Sequence, residues 1–219
     1  NRYSYCLFSP LQYVDPSGLL IDDYYDAFGN YLGSDNALTD NVRIIDREVW
    51  DMFKYINDDG TESILHQIGN RESIAFSEAF DMLKQEQLSV YQYYNPTDLP
   101  LELVSTSSGM TFHAEATITL YPNGKKVINS INKNILVSLN NKERKIADNA
   151  NNIISMFVHE NQHYNDYKKW GHTKYFMMDI TIRENNAIMT QIQHSSWNKT
   201  DIGFRNSVKK YAKSFGIIF

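Results

Sequence analysis

An α+β fold is expected for this chain, with a small, mainly antiparallel sheet packed on a long helix and further helices around them. Three stretches predict it. Residues 111–121 alternate, with Ala116, Ile118 and Leu120 on one face and Thr117 and Thr119 on the other, and run into the turn "YPNGKK". "VINSI" and "NILVSL" follow as further strand material. Residues 140–170, "NNKERKIADNANNIISMFVHENQHYNDYKKW", then change to helical spacing.

Taken in order, the first 18 residues, "NRYSYCLFSPLQYVDPSG", mix aromatics with turn formers and read as an irregular lead-in. "DDYYDAFGNYLGSDN" predicts a strand, a tight turn at Phe28-Gly29-Asn30 and a second strand, continued by "VRII". "DREVWDMFKYI" places Val49, Trp50, Phe53 and Ile56 at helical spacing, with Asp46 as cap and Asp58-Asp59-Gly60 as stop. A second helix is expected over 71–88, on a stripe of Ile74, Ala75, Ala79, Phe80 and Leu83, ended by the two prolines between Asn95 and Pro100. The long helix begins with Asn140 and Glu143 in a capping-box relation and ends before Gly171. "ITIRENNAIMTQIQH" is helical, and "KKYAKSFGIIF" is a terminal amphipathic helix; Met177 and Met178 are expected in the core.

At 219 residues the chain can bury a full core without staples. Its 21 basic and 26 acidic residues, net -5, give no general attraction to a phosphate backbone, so nucleic acid is not expected as a partner. The lone cysteine, Cys6, rules out a disulfide framework and a CxxC knuckle, so any metal must be held by histidines and carboxylates. No apolar run nears the roughly 20 residues that span a bilayer, and membrane insertion is not expected. A start at Asn1 without signal-like residues is expected of a piece of a longer protein.

The long helix has two faces. Ile146, Ala150, Ile153, Ile154 and Phe157 form the core stripe, whereas Asn152, Met156, His159 and His163 share a different face. Histidines at i and i+4 can converge on one ion, and a glutamate directly after the first can reach water on it. His159, Glu160 and His163 have that H-E-x-x-H spacing, which this composition produces by chance in about one such chain in a hundred. The alternative is two surface histidines on a polar helix. A catalytic zinc needs a third protein ligand. Lys169 occupies the position of a third histidine in the extended motif, and Asp166 is close to His163 in sequence. Glu184 is the better candidate: in a helix it shares its face with Ile180, Ala187, Ile188 and Gln191, and an inward carboxylate needs a partner. A structural ion pair is its other possible role, and His172 is the next candidate ligand.

H-E-x-x-H followed after about twenty residues by an E-x-x-A helix resembles the gluzincin branch of the zincin metallopeptidases. That resemblance implies a zincin-like fold over residues 23–219 and a zinc endopeptidase that cleaves protein or peptide substrates. It implies zinc on His159, His163 and Glu184, with Glu160 as the general base. An edge strand of the sheet would align an extended substrate. The family's signature also has Asn before the ligand Glu and Asp four residues after it; here those positions are Arg183 and Ile188. For the oxyanion, His194, Tyr175, His172 and Tyr167 are within reach in sequence, His194 being taken as the catalytic candidate although a structural role is commoner for such a histidine.

Asn1, Tyr3, Tyr5, Cys6, Pro10, Tyr13, Asp15, Pro16 and Gly18 resemble the end of the core of RHS/YD-repeat proteins. Residues 1–22 would then be the tail of such a core plus a linker. Family members that cleave themselves carry glycines soon after D-P-x-G, where this chain reads "LLIDDYY". The resemblance implies a bacterial effector or toxin, secreted or delivered into a target cell as the C-terminal part of a larger protein, with a cognate immunity protein as a further partner. A nuclease-type toxin in the same slot, or a non-catalytic binding module with a structural metal site, are the alternatives from other classes.

Overall fold

The computed structural model describes residues 21–219 apart from 36, 38, 59, 61, 65–67, 106–108 and 139–143. The RHS-like stretch and the Asn140–Glu143 capping box lie outside the described residues.

The fold is mixed α+β. Strand β1 (Asp23–Tyr25) pairs antiparallel with β2 (Tyr31–Ser34) across the expected turn. Asp26 fixes that turn, its carboxylate accepting from the backbone of Phe28 and Asn30 at 2.9 Å each. β3 (Val42–Ile45) joins the other side of β1 in parallel, and β6 (Ser73–Ala75) closes the order β2-β1-β3-β6. Between them α1 (Arg47–Phe53) is capped by Asp46 as its sequence predicts, but it stops at Phe53. Residues 54–56 form β4 (Lys54–Ile56), paired with β5 (Glu62–Ile64), in place of a last helical turn.

The helix expected over 71–88 is divided. Ile74 and Ala75 pair with Ile44 and Arg43 in the sheet, because backbone partners along β3 outweigh a local helical period. A 3-10 turn over Phe76–Ala79 leads into α2 (Phe80–Leu83); Lys84, at φ 48°, breaks the run, and α3 (Gln87–Tyr94) follows. Asn95 ends α3 where the prolines require.

The second sheet has the order β7-β9-β8, from β7 (Leu101–Val104), β8 (Met110–Leu120) and β9 (Lys126–Ser138). β8 and β9 form the expected hairpin, and β7 adds in parallel. Next comes α4 (Ala150–Trp170), preceded by a 3-10 turn over Arg144–Asp148. It starts later than expected because Asn149 caps it, its side chain accepting from Asn152 N at 3.0 Å. Ala150 N reaches Asp40 O at 2.8 Å, which ties the helix to the first sheet. Gly171, at φ 76°, ends it through a bond to Tyr167 O. Then follow α5 (His172–Met177), α6 (Ile180–Gln193) and α7 (Ile202–Ser214).

One core joins both sheets to α4. Tyr25, Val42 and Ile44 meet Phe76, Leu83, Val90, Ile135, Ile153 and Phe157, all fully or almost fully buried. Each such side chain contributes about 1.5–3 kcal/mol relative to exposure. Neither Met177, 82% exposed, nor Met178, half-buried, joins it as expected, because they lie at the end of the short α5. No helix among the described residues is long and apolar enough to cross a membrane.

Candidate metal centre

His159 and His163 stand one turn apart on α4, so their rings leave the same side. Their Nε2 atoms are 3.2 Å apart. Glu184 meets both from α6: Oε2 lies 3.3 Å from His159 Nε2, and Oε1 lies 3.4 Å from His163 Nε2. All three residues are buried, and their ligand atoms lie within 4.8 Å of one another. Such a group could hold a metal ion, since two imidazole nitrogens and a carboxylate offer lone pairs to one point.

The α4–α6 contact that presents Glu184 is polar and interlocked. Asp166 accepts from Gln162 Nε2 at 2.8 Å and from Asn186 Nδ2 at 2.9 Å, so its carboxylate links the two helices. Gln191 Nε2 donates to Ser155 Oγ at 3.2 Å further along. Ala187 and Ile188 fill the apolar side, both wholly buried. The two positions where the zincin signature carries polar support thus hold a core aliphatic, Ile188, and Arg183, whose guanidinium sits 5.0 Å from the centroid of Tyr175. The outer nitrogen of His163, Nδ1, is buried without a partner among the described residues.

Electrostatics bind the triad tightly. Burial alone would raise the Glu184 carboxyl, but the two histidines outweigh it and hold it well below the ordinary carboxylate range. Burial pushes His159 down, while the Glu184 carboxylate, Glu160 and Gln191 bring it to a net rise. Glu160 is raised, chiefly by burial, against the opposing pull of both histidines and a backbone N–H.

That N–H belongs to Phe112, which donates to Glu160 Oε2 at 2.6 Å. β8 is an outer strand of its sheet. Opposite Phe112, Ile135 sends its own N–H to Pro100 O at 3.0 Å, away from β8. Phe112 therefore presents its N–H on the open edge of β8, and Glu160 faces that edge.

One residue of the centre is not singled out by the motif. Tyr211, on α7, donates its hydroxyl to Glu184 Oε2 at 2.9 Å, and its ring lies 6.3 Å from that of His159. Partial burial, in a residue that is 46% exposed, and the Glu184 carboxylate raise the pKa of its phenol. α7 is anchored to α4 through Asn152, a wholly buried member of the histidine face: Asp201 N donates to Asn152 Oδ1 at 3.2 Å, and Asn152 Nδ2 donates to the Asp201 carboxylate. No local spacing links Tyr211 to H-E-x-x-H; only an amphipathic stripe shared with Phe204 and Val208 marks it.

The remaining candidates fall elsewhere. His194 is the C-cap of α6, where Nδ1 lies 2.9 Å from Ser196 Oγ and burial lowers its pKa. His172 packs on Phe176 at 4.8 Å and on Tyr167 at 6.1 Å between ring centroids. Tyr175 sits against Phe112, Tyr167 and Arg183. Comparison of the chain with protein-family models, with curated proteins and with solved structures gave no match, so the centre is read from its own geometry.

Proposed function

We propose that this chain is a zinc-dependent peptidase with a zincin-like arrangement of helix and sheet, in which His159, His163 and Glu184 hold the ion and Glu160 is the general base. One observation carries the reading. Tetrahedral ligands at zinc distances of about 2.0–2.1 Å stand about 3.3 Å from one another. The two Nε2 atoms stand 3.2 Å apart, and Glu184 approaches His159 through Oε2 at 3.3 Å and His163 through Oε1 at 3.4 Å, so one carboxylate faces both ligand nitrogens at that spacing.

When bound, zinc would supply Lewis acidity, making water acidic near pH 7 and polarising a carbonyl. Glu160 stands on the same helix turn without joining the ligands, where its raised carboxyl can take the proton of an attacking water and return it to the leaving amine. The open edge of β8 suits an extended peptide, whose backbone would pair there next to Glu160. For the developing oxyanion, Tyr211 is favoured over His194 because its hydroxyl already touches the triad, whereas His194 is engaged with Ser196. Delivery as the C-terminal part of a larger RHS-type bacterial protein, with a matching immunity protein, is proposed on the resemblance of residues 1–18 alone.

Metal analysis together with peptide cleavage tests the reading. Purified protein should carry about one zinc per chain. His159→Ala or His163→Ala should lose it. Glu160→Gln should keep it and lose at least about a hundredfold in hydrolysis. Wild-type protein that takes up no added zinc would overturn the proposal.

A further inference from the structure

Beside the metal centre, where the end of α4 meets α5 and the first turn of α6, buried polar atoms without partners gather on neighbouring residues. Among the described residues, Tyr167 Oη, His172 Nδ1 and Arg183 Nε are buried and lack a hydrogen bond. Tyr167 contacts His172 and Tyr175, with ring centroids 6.1 and 5.7 Å apart, and Arg183 lies 5.0 Å from the Tyr175 centroid. A buried polar atom left unpaired is costly, and more so when charged, so such a concentration asks for a ligand.

The charge points the same way. Arg183 is half-buried, its guanidinium interacts with the Tyr175 side chain, and no carboxylate stands within ion-pair distance of it among the described residues. The acidic groups around this corner have other partners: Glu184 the histidines and Tyr211, Glu160 the N–H of Phe112, and Asp179, four residues before Arg183, the N–H of Thr181 that it caps. The planar fork of Arg183 matches a carboxylate, which would also accept from the Tyr167 hydroxyl and from the His172 ring. The corner also touches the reacting region, because Phe112, donor to Glu160, packs on Tyr167 at 5.8 Å and on Tyr175 at 6.3 Å.

We infer that Tyr167, His172, Tyr175 and Arg183 form a carboxylate-binding subsite beside the metal centre, with Arg183 as its cation. It takes an acidic side chain, or the free C-terminus, of the peptide that lies along β8. This deepens the peptidase reading, on which its enzymatic arm rests.

The test has an arm that needs no catalysis. In metal-free wild-type protein, the Nε–H resonance of Arg183 is followed by NMR during titration with acetyl-glutamate methylamide, acetyl-glutamine methylamide and acetyl-alanine. A saturable shift with the first assigns the site to an acidic side chain, a shift with the third to a C-terminus, and the glutamine amide should move it in neither case. No saturable shift with either carboxylate, or an equal shift with the amide, overturns the subsite whether or not the protein binds zinc. In the enzymatic arm, Arg183→Gln should reduce the preference for a Glu-containing peptide over its Gln counterpart about tenfold in kcat/KM, with zinc content retained. An unchanged preference in a wild type that does cleave these peptides overturns the subsite and leaves the peptidase reading standing.

Discussion

Glu184 and Tyr211 illustrate what a single residue does in this centre. Glu184 reaches both histidines through separate carboxylate oxygens and takes the Tyr211 hydroxyl on one of them. Glu184→Gln keeps the shape but removes the negative charge that two imidazoles and a dication require. Zinc affinity should therefore fall by at least about tenfold, read by competition with a chelating dye. Tyr211→Phe should leave zinc in place and lower kcat/KM by about a hundredfold; unaltered turnover would return the donor's role to His194. H-E-x-x-H was legible because its chemistry is written in a one-turn spacing, and Glu184 because a carboxylate among apolar residues needs a partner. Tyr211 was not, since it arrives from α7, 27 residues beyond Glu184, through a helix packing that no local pattern encodes.

At the scale of elements, α4 is the part on which the centre depends. Its first three turns are buried on both the stripe of Ile153, Ile154 and Phe157 and the face of Asn152 and His159. A helix buried this way takes its start from its contacts as much as from its own residues. Asn149→Ala removes the capping acceptor for Asn152 N and should cost about 1 kcal/mol in urea unfolding; a loss below about 0.3 kcal/mol would show that the Asp40 contact suffices to start the helix. Phe157→Ala opens a cavity at a wholly buried position and should cost about 3–5 kcal/mol by the same measurement. Elsewhere, helical period alone misjudged Ile74 and Ala75, which satisfy their backbone groups along β3, and Lys54 to Ile56, which find a partner strand. A short apolar run accepts either period, and pairing partners far away in sequence choose between them.

Across the whole molecule, buried carboxylates make stability depend on pH, and Asp23 is one whose share can be isolated. Asp23, on β1, is pushed up to about 6, chiefly by burial, with Asp22 adding to the rise while Tyr94, Ser34 and Tyr31 donate to it and oppose it. In the unfolded chain the same carboxyl titrates near about 3.9. Between about pH 4 and 6 the folded protein thus holds a proton that the unfolded chain has lost, so this group's contribution to stability decreases as pH rises through that window. The loss is roughly 1–3 kcal/mol. Asp23→Asn removes the titration, and urea unfolding at pH 4.5 and 7 should show a flatter dependence than wild type. Equal slopes for the two proteins would mean that Asp23 does not titrate in this range.

The sequence by itself determined an α+β protein in which a β-hairpin precedes a long helix, and it determined that two histidines and a glutamate share one turn of that helix. Those features depend on periods of two and of 3.6 residues, which neighbouring side chains impose locally. Only the tertiary structure decided the rest. It brought Glu184 within 3.4 Å of both rings, turned Glu160 to the open edge of β8 and set Tyr211 against the centre. It also left Arg183 half-buried beside Tyr175. Each of these depends on how separate elements pack, through contacts such as Asp166 to Asn186 and Asn152 to Asp201, whose partners stand 20 and 49 residues apart. The energy that selects them comes from burying groups far apart in the chain, and no local window contains it.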